Sequence, residues 1–528
     1  MTAILTILLA ATVGMTLAKW LRLPVVPLLV VAGVGLSLTG LSPDAEFLND
    51  ALILGLAFLV FVAGTELNPA RAGRQRRPAM IVGTVQFLAM AGLGAMAAVW
   101  LGLSWQAALY VGLAMTASST LVVVTILRQR QQFFEPFGRL VLGVLLLQDL
   151  LVIIAIGGLS GLDDGAAGVL YGLGATVVLI ILAWSVSKWV APWAIGRLNL
   201  DEESLLLTAL AILFAFIGLS FWMGLPLVVG ALLAGIALSG FPVQGLVRGQ
   251  VSSLADFFLA VFFVTLGALL VWPSVRELAV AAGLTVLVLV VTPPLVAWTS
   301  RRIGLSSRVG VESGLFLAQC SEFSLVVALL GLSQGHLTSE VFNLIAIVTV
   351  VTMILTPFVA TDRHAWFLMR LRPGGAGLGG EAPNEGHVLM LGCGRLGERL
   401  ITELGERGER VLVVDDDQAV VDRLRAAGVR VVRGDGADME VLEAVGARSA
   451  KAIISTMRRI EDHERVLHHV WEAGVPVLTR LFSPADAERL AVLGAVPVIE
   501  ADVAADQAVA WFDERFRSRA ERAAASSG

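Results

Sequence analysis

Over its first 370 residues the chain passes through 13 apolar stretches, at about 2–18, 24–41, 50–68, 79–101, 106–127, 139–160, 166–187, 203–221, 225–241, 253–272, 276–300, 309–333 and 339–361. Each is close to the roughly 20 residues a helix needs to cross a hydrocarbon core about 30 Å thick. This feature limits the fold more than any other. In lipid only a helix or a closed barrel satisfies its own backbone, and stretches this long and continuous read as helices. Charge divides the chain at the same place. Residues 1–370 hold 18 Lys/Arg and 17 Asp/Glu, whereas residues 371–528 hold 20 and 26. A helical membrane region (1–370) is therefore expected to carry a soluble domain. The net charge of -5 gives no sign of a nucleic-acid partner. The two cysteines, Cys320 and Cys393, fall one in each region and suggest no disulfide framework.

The loops fix an orientation. Basic residues follow the odd-numbered stretches: Lys19 and Arg22, then Arg71, Arg74, Arg76 and Arg77, then Arg128 and Arg130, continuing to Arg363, Arg370 and Arg372. The intervening loops are acidic or neutral, as at Asp163–Asp164, and Arg276 is the exception. The positive-inside rule places the N-terminus outside and the C-terminus in the cytoplasm, which needs an odd number of spans. The first stretch lacks a basic start and does not read as a signal peptide.

Few charges remain inside the spans, so each can be weighed singly. A carboxylate at mid-membrane costs at least about 2.5–3.5 kcal/mol on insertion scales. Asp149, preceded by Gln148, lies near the middle of the sixth stretch, and Glu322 lies in the twelfth. Each is either a packing carboxylate or a functional one. The fifth stretch contains Thr116-Ala117-Ser118-Ser119-Thr120, and the twelfth contains Gln319-Cys320-Ser321-Glu322. Such small polar runs mark either close helix contacts or a break whose freed backbone and hydroxyl groups coordinate ions. Lying seven spans apart, the two runs have opposite orientations, as an inverted repeat requires.

These residues, with Leu147-Gln148-Asp149-Leu150, Phe262-Phe263-Val264-Thr265-Leu266-Gly267 and Leu317-Ala318-Gln319-Cys320-Ser321-Glu322-Phe323, resemble the monovalent cation:proton antiporter superfamily, in its Kef-type potassium efflux branch. The resemblance implies a transporter, not an enzyme, with an inverted repeat and two broken crossing helices. It implies that Asp149 binds cation and proton in turn beside Gln148, with Thr116, Ser118, Ser119, Thr120, Gln319, Ser321 and Glu322 completing the ion site. Gln beside the Asp resembles the potassium-type members, and sodium is the alternative ion. Many relatives carry a Lys at about the position of Thr292, and this chain has none there. That departure bears on the ion-to-proton ratio.

Residues 371–386 form a Gly/Pro-rich linker, and 387–515 alternate strand and helix in a Rossmann-like α/β pattern, with 516–528 as a tail. Strands are expected at 387–391, 411–414, 429–433 and 452–455, and weaker ones near 475–478 and 496–499. Gly392-Cys393-Gly394-Arg395-Leu396-Gly397 sits between the first strand and a helix, and Asp415 ends the next strand 18 residues after Gly397. In that context the glycines allow close phosphate approach at a helix N-terminus, and the acid suits a ribose hydroxyl. Asp416, Asp417 and His468-His469 read as solvated charges and a solvated face.

This half resembles the regulator-of-potassium-conductance (Trk-type) domain through Gly392–Gly397, Asp415 and Gly434-Asp435-Gly436-Ala437-Asp438. The resemblance implies NAD(H) or an adenine nucleotide (AMP or ATP) as a regulatory ligand, held by Gly392, Gly394, Arg395, Leu396, Gly397, Asp415 and Asp435. No hydride-transfer set is visible among the domain's histidines. A potassium channel would also carry such a domain, but the chain has no TVGYG-type filter. The expected protein is therefore a multi-pass inner-membrane cation/proton antiporter gated by a cytosolic domain. Its partners are a monovalent cation, a proton, the lipid bilayer, a second copy and an ancillary regulatory subunit.

Overall fold

Because lipid offers no hydrogen bonds, the apolar stretches must pair their backbone groups internally, and they do so as helices. A computed structural model describes residues 2–21, 25–40, 43–66, 76–130, 132, 135–193, 202–240, 243–370 and 386–525. The chain divides into two compact units, Met1–Ile303 with Val309–Met369, and Gly304–Arg308 with Arg370–Gly528. Loop residues Arg22, Arg71 and Arg74 and most of the expected linker lie outside the described residues.

In the first unit the helices are α1 (Thr2–Leu21), α2 (Val25–Leu38), α3 (Ala45–Glu66), α4 (Arg76–Trp100), α5 (Trp105–Ala114), α6 (Thr120–Gln129), α7 (Pro136–Leu159) and α8 (Gly165–Ser185). They continue as α9 (Glu202–Trp222), α10 (Leu227–Ala237), α11 (Val243–Leu269), α12 (Val275–Arg302), α13 (Ser307–Leu317), α14 (Glu322–Ser333), α15 (Ser339–Val359) and α16 (Asp362–Arg370). Every expected stretch contains helix. Among the described residues eight helices are long and apolar enough to cross a membrane, or nine if the bent pair α13/α14 is one span. The other four expected spans fall on shorter apolar helices, within α2, α6, α10 and α11. Exposed tryptophans sit at helix ends, as at Trp20, Trp100 and Trp222, and in the connection at Trp272, where an indole suits the membrane–water interface.

Helices in lipid gain little from burying leucine, so close backbone approach supplies the packing. At Gly33 on α2 a methyl would collide with the Val264 carbonyl of α11, and at Gly267 on α11 with the Val30 carbonyl of α2. Gly64 on α3 and Gly235 on α10 make the same reciprocal contact through the Leu232 and Phe61 carbonyls. Replacing Gly267 by Leu must push two backbones apart. We expect a loss of at least about 1–3 kcal/mol, seen as poor yield and early thermal aggregation in detergent. Gly92→Ala, which meets no atom within 4 Å, should behave like the parent.

The second unit is a doubly wound α/β domain. Its strands are β1 (Val388–Leu391), β2 (Val411–Asp415), β3 (Arg430–Arg433), β4 (Ala452–Ser455), β5 (Val477–Leu481) and β6 (Ala495–Ile499). They form one sheet in the order β3-β2-β1-β4-β5-β6, with every pairing parallel. Helices α17 (Arg395–Glu406), α18 (Gln418–Ala426), α19 (Met439–Ala444), α20 (Ile460–Val470), α21 (Pro484–Val492) and α22 (Glu500–Ala525) follow the strands. The chain switches direction across the sheet between β1 and β4, and in open α/β sheets ligands bind outside the strand ends at that point. Helix α22 runs on past residue 515, where a tail was expected.

Candidate cation site and nucleotide cleft

In the first unit, two helical stretches are interrupted where the small polar runs predicted it. Helix α5 ends at Ala114, Met115–Ser119 leave the helix, and α6 starts at Thr120. Helix α13 ends at Leu317 and α14 starts at Glu322, with a 43° bend between them. A broken helix leaves carbonyls at one end and amides at the other without partners. Serines meet part of that need locally. Ser119 caps α6 by accepting from the Val122 amide (3.3 Å), and Ser321 caps α14 by accepting from Phe323 (2.9 Å).

The two breaks also serve each other. The Ser118 hydroxyl donates to the carbonyl of Leu317, the last residue of α13 (2.7 Å). The Ser324 hydroxyl donates to the carbonyl of Ala114, the last residue of α5 (2.5 Å). Each break thus satisfies a terminal carbonyl of the other interrupted helix. The positive ends of α6 and α14 and the negative ends of α5 and α13 converge where they cross. Cys320 joins the same place, its amide donating to Thr352 of α15 (3.0 Å) and its thiol lying 3.9 Å from the Met115 sulfur.

Asp149 on α7 is fully buried beside this crossing. The Thr120 hydroxyl donates to its Oδ2 (3.1 Å), while Oδ1 has no hydrogen-bond partner among the described residues. Glu322, also buried, lies within electrostatic range of it. Gln319 donates through Nε2 to the Phe316 carbonyl (3.2 Å) and leaves its buried Oε1 without a partner among the described residues. Gln148 accepts from the Ser118 amide (3.1 Å). The Thr116 hydroxyl turns back onto the Leu113 carbonyl (2.7 Å), so its side chain serves the break itself. Thr292, buried on α12, lies 3.7 Å from the Met90 sulfur of α4 and brings no charge to the site. The sequence reading passed over Gln86, Ser324 and Thr352. A glutamine in the middle of the apolar helix α4 was the available signal, since a buried amide also needs partners.

In the second unit, the glycine-rich turn between β1 and α17 has a defined geometry. Gly392 adopts φ +79, its amide donates to Val414 (2.8 Å), and its carbonyl accepts from the Thr456 hydroxyl of the turn after β4 (2.9 Å). Gly394 caps α17, and a Cβ there would meet nothing within 4 Å. At Gly397 a Cβ would press on the Met390 and Cys393 sulfurs at 3.2 Å, so this glycine lets α17 lie close on β1. Arg395 opens α17, and Leu396 beside it is exposed.

Asp415 is buried, and its oxygens accept from the Cys393 amide (2.6 Å) and the Asp417 amide (2.9 Å). It therefore fixes the glycine loop from below, and only its remaining lone pairs can face a ribose. Burial raises its pKa, and the two amides oppose that rise. The turn after β3 reaches the same cleft: the Gly434 amide donates to the Asp415 carbonyl, and Asp435 accepts from the Ala437 amide (2.9 Å). Burial, then the charge of Asp435, pushes Asp416 up to about 7. Asp417 is exposed as expected, whereas Asp416 is half-buried, which corrects the solvated reading for that residue.

The histidine reading is corrected in the same way. His468 is exposed, but His469 is buried, and so is His463. His463 shares its ring nitrogen Nε2 with the Met457 carbonyl (3.2 Å), and burial lowers its pKa to about 4. The folded state thus binds this proton less tightly than the unfolded state does. His463 therefore contributes stability fully above about pH 6.5, and that contribution is lost as pH falls toward about 4. We expect the thermal midpoint of the soluble unit to drop between pH 7.5 and 5, and His463→Gln to flatten that drop.

Interrupted helices thus cross at a buried carboxylate in a chain that also holds a parallel α/β domain with a glycine loop after its first strand. The chain belongs to the sodium/hydrogen exchanger family, whose transmembrane model matches residues 4–361. A TrkA-N domain matches residues 388–501, the pairing that the Kef-type resemblance implies. Among solved structures, the sodium proton antiporter MjNhaP1 from Methanocaldococcus jannaschii is 17% identical, over 69% of this chain and 97% of its own, with a TM-score of 0.49. The TrkA-N domain of inner membrane protein ybaL from Escherichia coli is 22% identical over 25% of this chain and 98% of its own, with a TM-score of 0.24. The GsuK channel bound to NAD is 22% identical, over 43% of this chain and 42% of its own, with a TM-score of 0.22.

Proposed function

We propose that this exchanger moves a monovalent cation, potassium in preference to sodium, against a proton, and that nucleotide binding to the TrkA-N domain gates it. The observation that supports this reading most is Asp149: it is fully buried, with one oxygen held by Thr120 and the other without a partner among the described residues, where two broken helices cross. A buried carboxylate there needs either a proton or a cation, because an unpaired charge in a low-dielectric site is costly and the nearby Glu322 adds to that cost. It cannot hold both well, and that exclusion couples the two fluxes as the core alternates its access. Gln319, Ser321 and Glu322 at the second break and Ser118, Ser119 and Thr120 at the first shape the cation's oxygen shell. Gln148 and Thr116 hold the first break in place.

In this reading residues 1–370 form the transport domain and 387–515 the regulatory domain, joined by the linker. The protein sits in the inner membrane with its N-terminus outside and its soluble domain in the cytoplasm, as a homodimer with room for an ancillary subunit. The glycine loop at the N-terminus of α17 and Asp415 suit NAD(H) or AMP or ATP, because amide donors there face phosphate and the acid faces a ribose. The test is purified protein in liposomes with a pH dye, comparing potassium, sodium and lithium with and without NADH, AMP or ATP. Cation-dependent proton movement, strongest with potassium and changed by one nucleotide, is expected. Potassium current without proton movement would instead make it a channel.

A further inference from the structure

Unwinding Met115–Ser119 frees backbone groups that a continuous helix would pair. Two of them, the Thr116 carbonyl and the Ser118 amide, lie two residues apart, and neither finds a partner in its own strand of chain. Two buried glutamines join them. The Ser118 amide donates to Gln148 Oε1 (3.1 Å), Gln148 Nε2 donates to Gln86 Oε1, and Gln86 Nε2 donates to the Thr116 carbonyl (3.2 Å). The sense of this circuit is forced. An amide N–H can only donate and a carbonyl can only accept, so turning either glutamine end for end would set like groups against each other. Gln86 is only 2% exposed and Gln148 is fully buried, so water offers neither an alternative.

We infer that Gln86 is a positioning residue for cation binding, acting through Gln148 on the unwound segment that carries Ser118 to Thr120. The bridge replaces the missing helical bonds of the break and ties it to α4 and α7. Since Gln148 precedes Asp149 on α7, the same bridge sets the distance between Thr120 and the carboxylate it donates to. Both ends of the Gln148 amide are used in this way, so Gln148 belongs to the scaffold of the site. The inference rests on the transport reading above only for its kinetic readout.

The experiment uses the full-length protein in liposomes and measures proton flux against potassium concentration for the parent, Q86L, Q148L and the double variant. Each single change leaves a buried backbone group unpaired, which should raise the half-saturating potassium concentration roughly tenfold. The maximal rate should fall less. Because the two glutamines act as one circuit, the double variant should be no worse than either single one. A parent-like potassium dependence in Q86L, or losses that multiply in the double variant, would overturn the inference. If Q86L does not fold, Q86M keeps the length and flexibility of the glutamine but lacks the donor for Thr116, and parent-like affinity there counts equally against it. A parent protein without cation-dependent flux would refute the transport reading instead. The bridge is then read by hydrogen exchange over residues 115–119, which should speed roughly tenfold in Q86L, and unchanged exchange would refute it.

Discussion

Asp149→Asn is expected to reduce cation-dependent proton movement in liposomes to the level of protein-free vesicles while the purified protein remains folded. The substitution is nearly isosteric and still offers Thr120 an acceptor, so the contact at 3.1 Å can persist. What is lost is charge and the ability to exchange a proton. An amide needs no counter-ion in a buried site, so the cation gains nothing by entering, and no proton leaves when it does. Asp164, an exposed loop carboxylate, supplies the matched control, and Asp164→Asn should transport like the parent. Full activity in Asp149→Asn would remove the carboxylate from the mechanism.

The second large effect is expected in the soluble domain. Gly394→Val should weaken nucleotide binding at least about tenfold, because the side chain enters the space where backbone amides meet phosphate. The position is a clean probe: its backbone is extended, and a Cβ meets no protein atom within 4 Å. Gly392 is not equivalent. Its φ of +79 and the Thr456 hydroxyl 3.1 Å from a Cβ make any side chain there strained as well as obstructive. Calorimetry with NADH, AMP and ATP measures the loss, and unchanged binding in Gly394→Val places the nucleotide elsewhere. In liposomes the same variant should exchange ions but stop responding to nucleotide, which separates the gate from the transport core.

Much of this architecture was readable in the chain because lipid and phosphate impose simple demands. A bilayer requires long apolar helices, so the expected spans fall on helices throughout. Small polar residues in mid-span are unfavourable without a purpose, and both runs are breaks. The glycine loop was legible because its spacing to Asp415 matched a known geometric need. The cross-capping of Leu317 by Ser118 and of Ala114 by Ser324 was not legible, since it joins residues about 200 positions apart. Gln86 was passed over because only charges and polar runs were weighed inside the membrane, although a single buried amide makes the same demand for partners. His469 was misread for a local reason. It flanks the apolar stripe of Val466, Leu467 and Val470 on α20, and the helix face it shares with them is buried.

One carboxylate that holds either a cation or a proton, and never both, couples the two fluxes. The direct measurement is proton release from detergent-solubilised protein in weak buffer when potassium is added at fixed pH. The parent should release protons in proportion to the potassium bound, up to about one per chain, and Asp149→Asn should release none. Potassium binding to the parent with no proton released, or with the same release from Asp149→Asn, would contradict it.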